Sequence, residues 1–120
     1  MKQAYILIER DERAAQERIR QNFRKAVHSG EDQGAYFSFQ SPAALFRVLT
    51  PKRWELIEQL QAAGPTGVRA LARLLGRDVR RVHDDAHALI EFGLVEKTSE
   101  GKLTVPFERI HTEFDMATAA

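Results

Sequence analysis

Hydrophobic residues first gather in a brief unbroken run, Ala4-Tyr5-Ile6-Leu7-Ile8, which stops at Glu9-Arg10-Asp11. A run this short, bounded by charges, predicts a buried strand. From Glu12 to about Val27 the rhythm changes: Ala15, Ile19, Phe23 and Ala26/Val27 recur at helical spacing, with arginines and glutamines between them. That pattern predicts an amphipathic helix whose apolar stripe faces inward. Residues 28–34 contain two glycines and no apolar residue, which marks a loop, and Ala35 to Phe39 then reads as a second strand.

Two helix starts follow in quick succession. Ser41-Pro42 and Thr50-Pro51 each set a capping hydroxyl before a proline at the first helical position. The second of these helices carries Trp54, Ile57, Leu60 and Gln61 at spacings of three and four and stops at Gly64-Pro65. Trp54 belongs to that stripe and is expected in the core, not stacked on a base.

Residues 65–95 then lay out a short helix from Val68 to Leu75, a break at Gly76 and a second helix from Val79 to Phe92 with Asp78 placed to cap it. Two helices joined over so few residues predict a helix-turn-helix, the glycine supplying the left-handed position the reversal needs. In the second helix Val79, Val82, Ala86, Leu89 and Ile90 form the expected inward stripe, which leaves Arg80, Arg81, His83, Asp84, His87 and Glu91 facing outward. Beyond Gly93, Leu94–Thr98 and Leu103–Val105 read as two short strands around Ser99-Glu100-Gly101-Lys102, a hairpin in the place of a wing. A last strand is expected near Phe107 to Phe114, where Ile110, Thr112 and Phe114 alternate with Arg109, His111 and Glu113 as half-buried strands do.

Charge sharpens this picture. The whole chain of 120 residues carries only +1, yet residues 52–81 hold seven cations against three anions, and residues 82–120 hold three against eight. Such asymmetry can place one basic face on a nearly neutral molecule. In helix-turn-helix docking the N-terminal part of the second helix enters the major groove, where arginine pairs with guanine, while the first helix crosses the backbone. Arg77, Arg80, Arg81 and His83 are therefore the candidates for bases, with His87 on the same face, and Arg69, Arg73, Lys97 and Lys102 the candidates for phosphates. Asp84 either accepts from cytosine or repels phosphate.

From Leu71-Ala72-Arg73-Leu74-Leu75-Gly76 onward, and again over Val82-His83-Asp84-Asp85-Ala86-His87-Ala88-Leu89-Ile90-Glu91-Phe92-Gly93-Leu94-Val95, the chain resembles the MarR-like winged helix-turn-helix regulators. Phe46–Glu55 and Val105–His111 look more narrowly like a compact group of prokaryotic regulators, some of them antitoxin-like. Residues 1–34 carry no such resemblance. The resemblance implies double-stranded DNA as partner, with a toxin-like protein as the rival partner.

Other chemistries find little support. His83 and His87 stand four apart, a metal-ligand spacing, but no third and fourth ligand is visible, so no metal is assigned. No phosphate loop, dinucleotide fingerprint or recognisable nucleophile and base occurs, so neither an enzyme nor a cofactor is expected. There is no cysteine, and the opening apolar run is too short for a signal peptide or a membrane span, which fits the cytoplasm.

The expected protein is thus α+β and mostly helical. Residues 1–40 form a strand-helix-strand extension that builds a homodimer, and residues 41–120 form a winged helix-turn-helix with its closing strand. Its expected function is sequence-specific DNA-binding transcriptional regulation. The alternative is a protein-interaction module, such as an antitoxin, whose acidic tail engages a basic partner.

Overall fold

In a computed structural model, which describes residues 2–29 and 34–118, the chain runs β1 (Gln3–Ile8), α1 (Glu12–Ser29), β2 (Ala35–Phe39), α2 (Pro42–Val48), α3 (Pro51–Ala63), α4 (Val68–Leu75), α5 (Val79–Phe92), β3 (Glu96–Lys97), β4 (Leu103–Thr104) and β5 (Arg109–Glu113). It is α+β, and helices dominate. For positions 12, 15, 22, 23 and 25–29 the backbone alone is described. Among the described residues no helix is long and apolar enough to cross a membrane.

The chain divides into two compact units, Met1–Val48 with Arg109–Ala120, and Leu49–Glu108. The first is built on a three-stranded sheet of order β2-β1-β5, all parallel. Parallel neighbours need a crossover, and α1 supplies it between β1 and β2. Tyr5 pairs with Tyr36 on one side and His111 on the other, while the next row of the pleat aligns Ile6 with Phe37 and Thr112. Ala4 and Ile6 are fully buried, as a central strand should be. On the opposite face the Tyr5 and Tyr36 rings stack with centroids 4.8 Å apart.

Gly34 opens β2 with φ +80°, and a Cβ there would collide with the Gln3 carbonyl of β1. Only glycine permits that approach. The rest of the loop expected over 28–34 lies outside the described residues, apart from its helical start. So do the side chains of Ala15, Phe23, Ala26 and Val27, four members of the stripe expected on α1. The fifth, Ile19, is exposed instead of inward-facing.

The closing strand, expected to belong with residues 41–120, lies in the other unit. β5 returns to β1 across the whole intervening segment, so it belongs with the N-terminal unit, and the boundary between units falls after Val48, not after residue 40. Its burial also differs: Thr112 and Phe114 are exposed, whereas Ile110 and His111 are half-buried. Parallel pairing to a central strand, not an amphipathic alternation, accounts for these residues being extended.

The second unit follows its local signals closely. Thr50 Oγ1 accepts from the Arg53 amide at 3.4 Å with Pro51 at the first helical position, and α3 buries Leu56, Ile57 and Leu60. Trp54 is half-buried, less enclosed than expected, and Gln61 is exposed, its amide donating to the Phe107 carbonyl at 3.3 Å. α4 buries Leu71 and Ala72 and ends at Gly76, which is left-handed and donates its amide to the carbonyls of Ala72 and Arg73. Asp78 caps α5 by accepting from the Arg81 amide at 3.2 Å, and Val82, Ala86 and Leu89 enter the core. Val79 does not, because at the first position of the helix it sits above that stripe and remains exposed. Leu94 and Val95 are buried where the chain leaves Gly93 for the hairpin β3–β4.

Candidate nucleic-acid interface

Three elements meet on one side of the second unit. A two-way backbone bridge, Thr66 amide to Leu103 carbonyl at 2.9 Å and Leu103 amide to Thr66 carbonyl at 2.8 Å, ties the residues before α4 to β4. The hairpin is closed by Thr98, whose amide donates to the Lys102 carbonyl at 2.7 Å and whose hydroxyl accepts from the Lys102 amide at 3.1 Å. Between α5 and this hairpin lies a groove of about 240 Å³ lined by Val68, His83, Ala86, His87, Ile90, Lys97, Gly101 and Leu103. It places the outer face of α5 and the hairpin side by side.

On that outer face Arg80, Arg81, His83, Asp84, His87 and Glu91 are all exposed. Arg80 and Arg81 make no ion pair among the described residues. The His83 and His87 rings lie parallel within 4°, with centroids 6.3 Å apart, His83 Nδ1 being 3.4 Å from Asp84 and His87 Nε2 3.2 Å from Glu91. Lys97 and Lys102 are exposed on the hairpin, Arg69 and Arg73 on α4. The two α4 arginines line a second cleft, about 340 Å³, with Ala72, Gly76, Arg77 and Val79. Among the described residues no group of three His, Asp or Glu side chains is placed to hold a metal ion.

Arg77 has to be removed from the base-reading candidates. Its Nη2 donates to Asp85 Oδ2 at 2.7 Å, and Arg53 Nε from the first turn of α3 donates to Asp85 Oδ1 at 3.1 Å. The side chains of Arg77, Asp85 and Arg53 retain 13, 19 and 23% of their accessibility. Arg77 is thus a fastening between the α4–α5 turn and the body of α5, set inside the surface that its neighbours Arg80 and Arg81 occupy. Burial alone would raise the Asp85 carboxyl, but hydrogen bonds from Arg77 and Arg53, together with their charges, hold it below the usual carboxylate range.

No local pattern announces this network, since along the sequence Asp85 is one more anion and Arg53 one more cation. The sole available signal was an acid standing beside the inward stripe of α5, one residue before Ala86. Neither that position nor any spacing points to Arg53, which is 32 residues distant.

Compared with known proteins, residues 48–112, just over half of the chain, match the HVO_A0114 family. No curated protein and no solved structure matches the chain.

Proposed function

The chain belongs to the HVO_A0114 family, and from the geometry of its second unit we propose that it is a sequence-specific double-stranded DNA-binding regulator of the MarR-like winged helix-turn-helix kind, acting in the cytoplasm. In this reading α4 and α5 are the helix-turn-helix, α5 is the reading helix and β3–β4 is the wing. The observation that carries it is the pair Arg80 and Arg81: two exposed guanidiniums, without a carboxylate partner among the described residues, in the first turn of a helix that a tight left-handed turn holds against α4. That is the part of a recognition helix from which arginine reaches guanine. Arg69 and Arg73 on α4 and Lys97 and Lys102 on the hairpin flank it as phosphate contacts, and His83 and His87 complete the face. Asp85 is already engaged by two arginines, so the acidic residues after Arg81 offer a basic protein partner less than their number implies, and DNA is the partner favoured.

The regulator is proposed to act as a homodimer, because two modules then read two half-sites. Selection of bound sequences from a random duplex pool by the purified full chain tests the function. Recovery of a defined motif, with two half-sites if the dimer forms, supports it. A pool that stays random while the protein remains folded overturns it.

A further inference from the structure

Resting on the DNA-binding function above, we propose that α1 is a second phosphate-binding surface, one that adds affinity without adding base preference. The helix holds five cations, Arg13, Arg18, Arg20, Arg24 and Lys25, against two anions, Glu12 and Glu17. Three of the arginines form a line. At about 100° per residue Arg13, Arg20 and Arg24 fall within roughly 40° of one another on the helix surface, and their rises set them about 10 Å and 6 Å apart along the axis.

All three are exposed, as are Gln16 and Glu17 beside them, and Arg13, Gln16, Glu17 and Arg20 line a shallow furrow of about 280 Å³. Arg13 and Arg24 make no ion pair among the described residues. Arg20 Nη1 stands 3.6 Å from Glu17 Oε2, an exposed pair that a phosphate can displace at little cost. Arg18 stands off this line, its Nη2 3.9 Å from Glu9 Oε2.

The chemistry of the line favours a nucleic-acid backbone over a lipid surface. Its cations are all arginine, whose planar fork matches a phosphate with two hydrogen bonds. Among the described residues no large apolar side chain is interleaved between them to enter a bilayer, as an interfacial helix requires. The line is taken to meet the sugar-phosphate backbone and no base edge, so its contribution is independent of sequence.

The test compares the full chain with Arg13→Gln/Arg20→Gln/Arg24→Gln and with Arg80→Ala/Arg81→Ala, measuring duplex affinity against salt on both the preferred and a random sequence. Each lost phosphate contact flattens the dependence of log K on log salt by about 0.9. The α1 variant is expected to lose up to about 2.7 from the slope while keeping the ratio of preferred to random affinity. The α5 variant is expected to lose that ratio. An α1 variant with an unchanged slope overturns the proposal and leaves the α5 reading standing. Binding that survives the α5 variant with its preference intact, yet weakens in the α1 variant, overturns the α5 reading and keeps this one. If the unmodified chain binds anionic phospholipid vesicles and no duplex, both are overturned.

Discussion

Arg77 Nη2 and Asp85 Oδ2 meet at 2.7 Å, and this contact separates two arginines that look alike in the sequence. Arg77 lies one residue before the helix cap and Arg80 two after it, yet the first is enclosed by α5 and the second stands in solvent. With Arg53 on its other oxygen, Asp85 is the shared counter-charge of two partly buried guanidiniums, Arg77 keeping one buried nitrogen, Nη1, that Asp85 does not reach. Removing the carboxylate is therefore far worse than removing either exposed arginine.

Asp85→Ala is expected to cost about 2 to 3 kcal/mol of folding stability, the partial exposure of the site keeping it below the range for a fully buried pair. Arg80→Ala and Arg81→Ala are expected to stay within about 0.5 kcal/mol of the unmodified chain. Urea denaturation followed by circular dichroism compares the three. An Asp85→Ala chain as stable as its parent would show that the ion pairs contribute nothing.

In the proposed DNA complex these arginines and the flanking cations should behave differently. Arg80→Ala or Arg81→Ala should weaken the preferred site by about 1 to 3 kcal/mol and relax preference at one base pair. Arg69→Ala or Lys102→Ala should weaken all sequences alike and flatten the salt slope by about one. Fluorescence anisotropy at several salt concentrations separates the two. Equal effects from all four substitutions would remove α5 as the reading element.

Acid supplies an independent test of the same carboxylate. The Asp85 carboxyl is depressed in the folded chain, so its contribution is fully present above the unfolded value of about 3.9 and is lost as pH falls through the folded value. The stability gap between the unmodified chain and Asp85→Asn should hold steady from neutral pH down to about 5 and narrow below about 4. A gap that widened on acidification would reverse the sign argued here.

Two glycines with positive φ should respond very differently to alanine. Gly76 has open space around the missing Cβ, so Gly76→Ala carries only the left-handed backbone penalty of about 1 to 2 kcal/mol. At Gly34 the same penalty is joined by a collision with the Gln3 carbonyl, and Gly34→Ala should cost more than about 3 kcal/mol or shift β2 off β1. Thermal melting of both variants decides it; equal losses would mean that the β1–β2 approach yields easily.

What could be read from the sequence was what short-range chemistry specifies. Ser41-Pro42, Thr50-Pro51, Gly76 and Asp78 each fix a helix end by hydrogen bonds within a few residues, and every one of those ends stands where expected. The exposed cations of the candidate interface, Arg69, Arg73, Arg80, Arg81, Lys97 and Lys102, were likewise foreseeable from helical phase and hairpin position. Long-range pairing was not. Nothing local in Arg109–Glu113 names β1 as its partner, nothing in Thr66 announces its bridge to Leu103, and the enclosure of Arg77 depends on Asp85 and Arg53 arriving from other elements. Ile19 and Val79 erred in the same way: helical phase assigns a face, but whether another element covers that face is decided elsewhere in the chain.

The return of β5 to β1 makes one unit a host and the other a guest. Leu49–Glu108 is a single uninterrupted stretch, while the sheet of the other unit draws its strands from both sides of that stretch in the chain. During synthesis β1 and β2 emerge early but wait for their third strand until the guest has been made in full. The pairing of β5 with β1 therefore closes over a stretch of sixty residues, from Leu49 to Glu108, and is the most non-local step in building the sheet. Damage should follow the same hierarchy: trimming the chain back from its C-terminal side takes the third strand from the host sheet before it touches a residue of the helix pair.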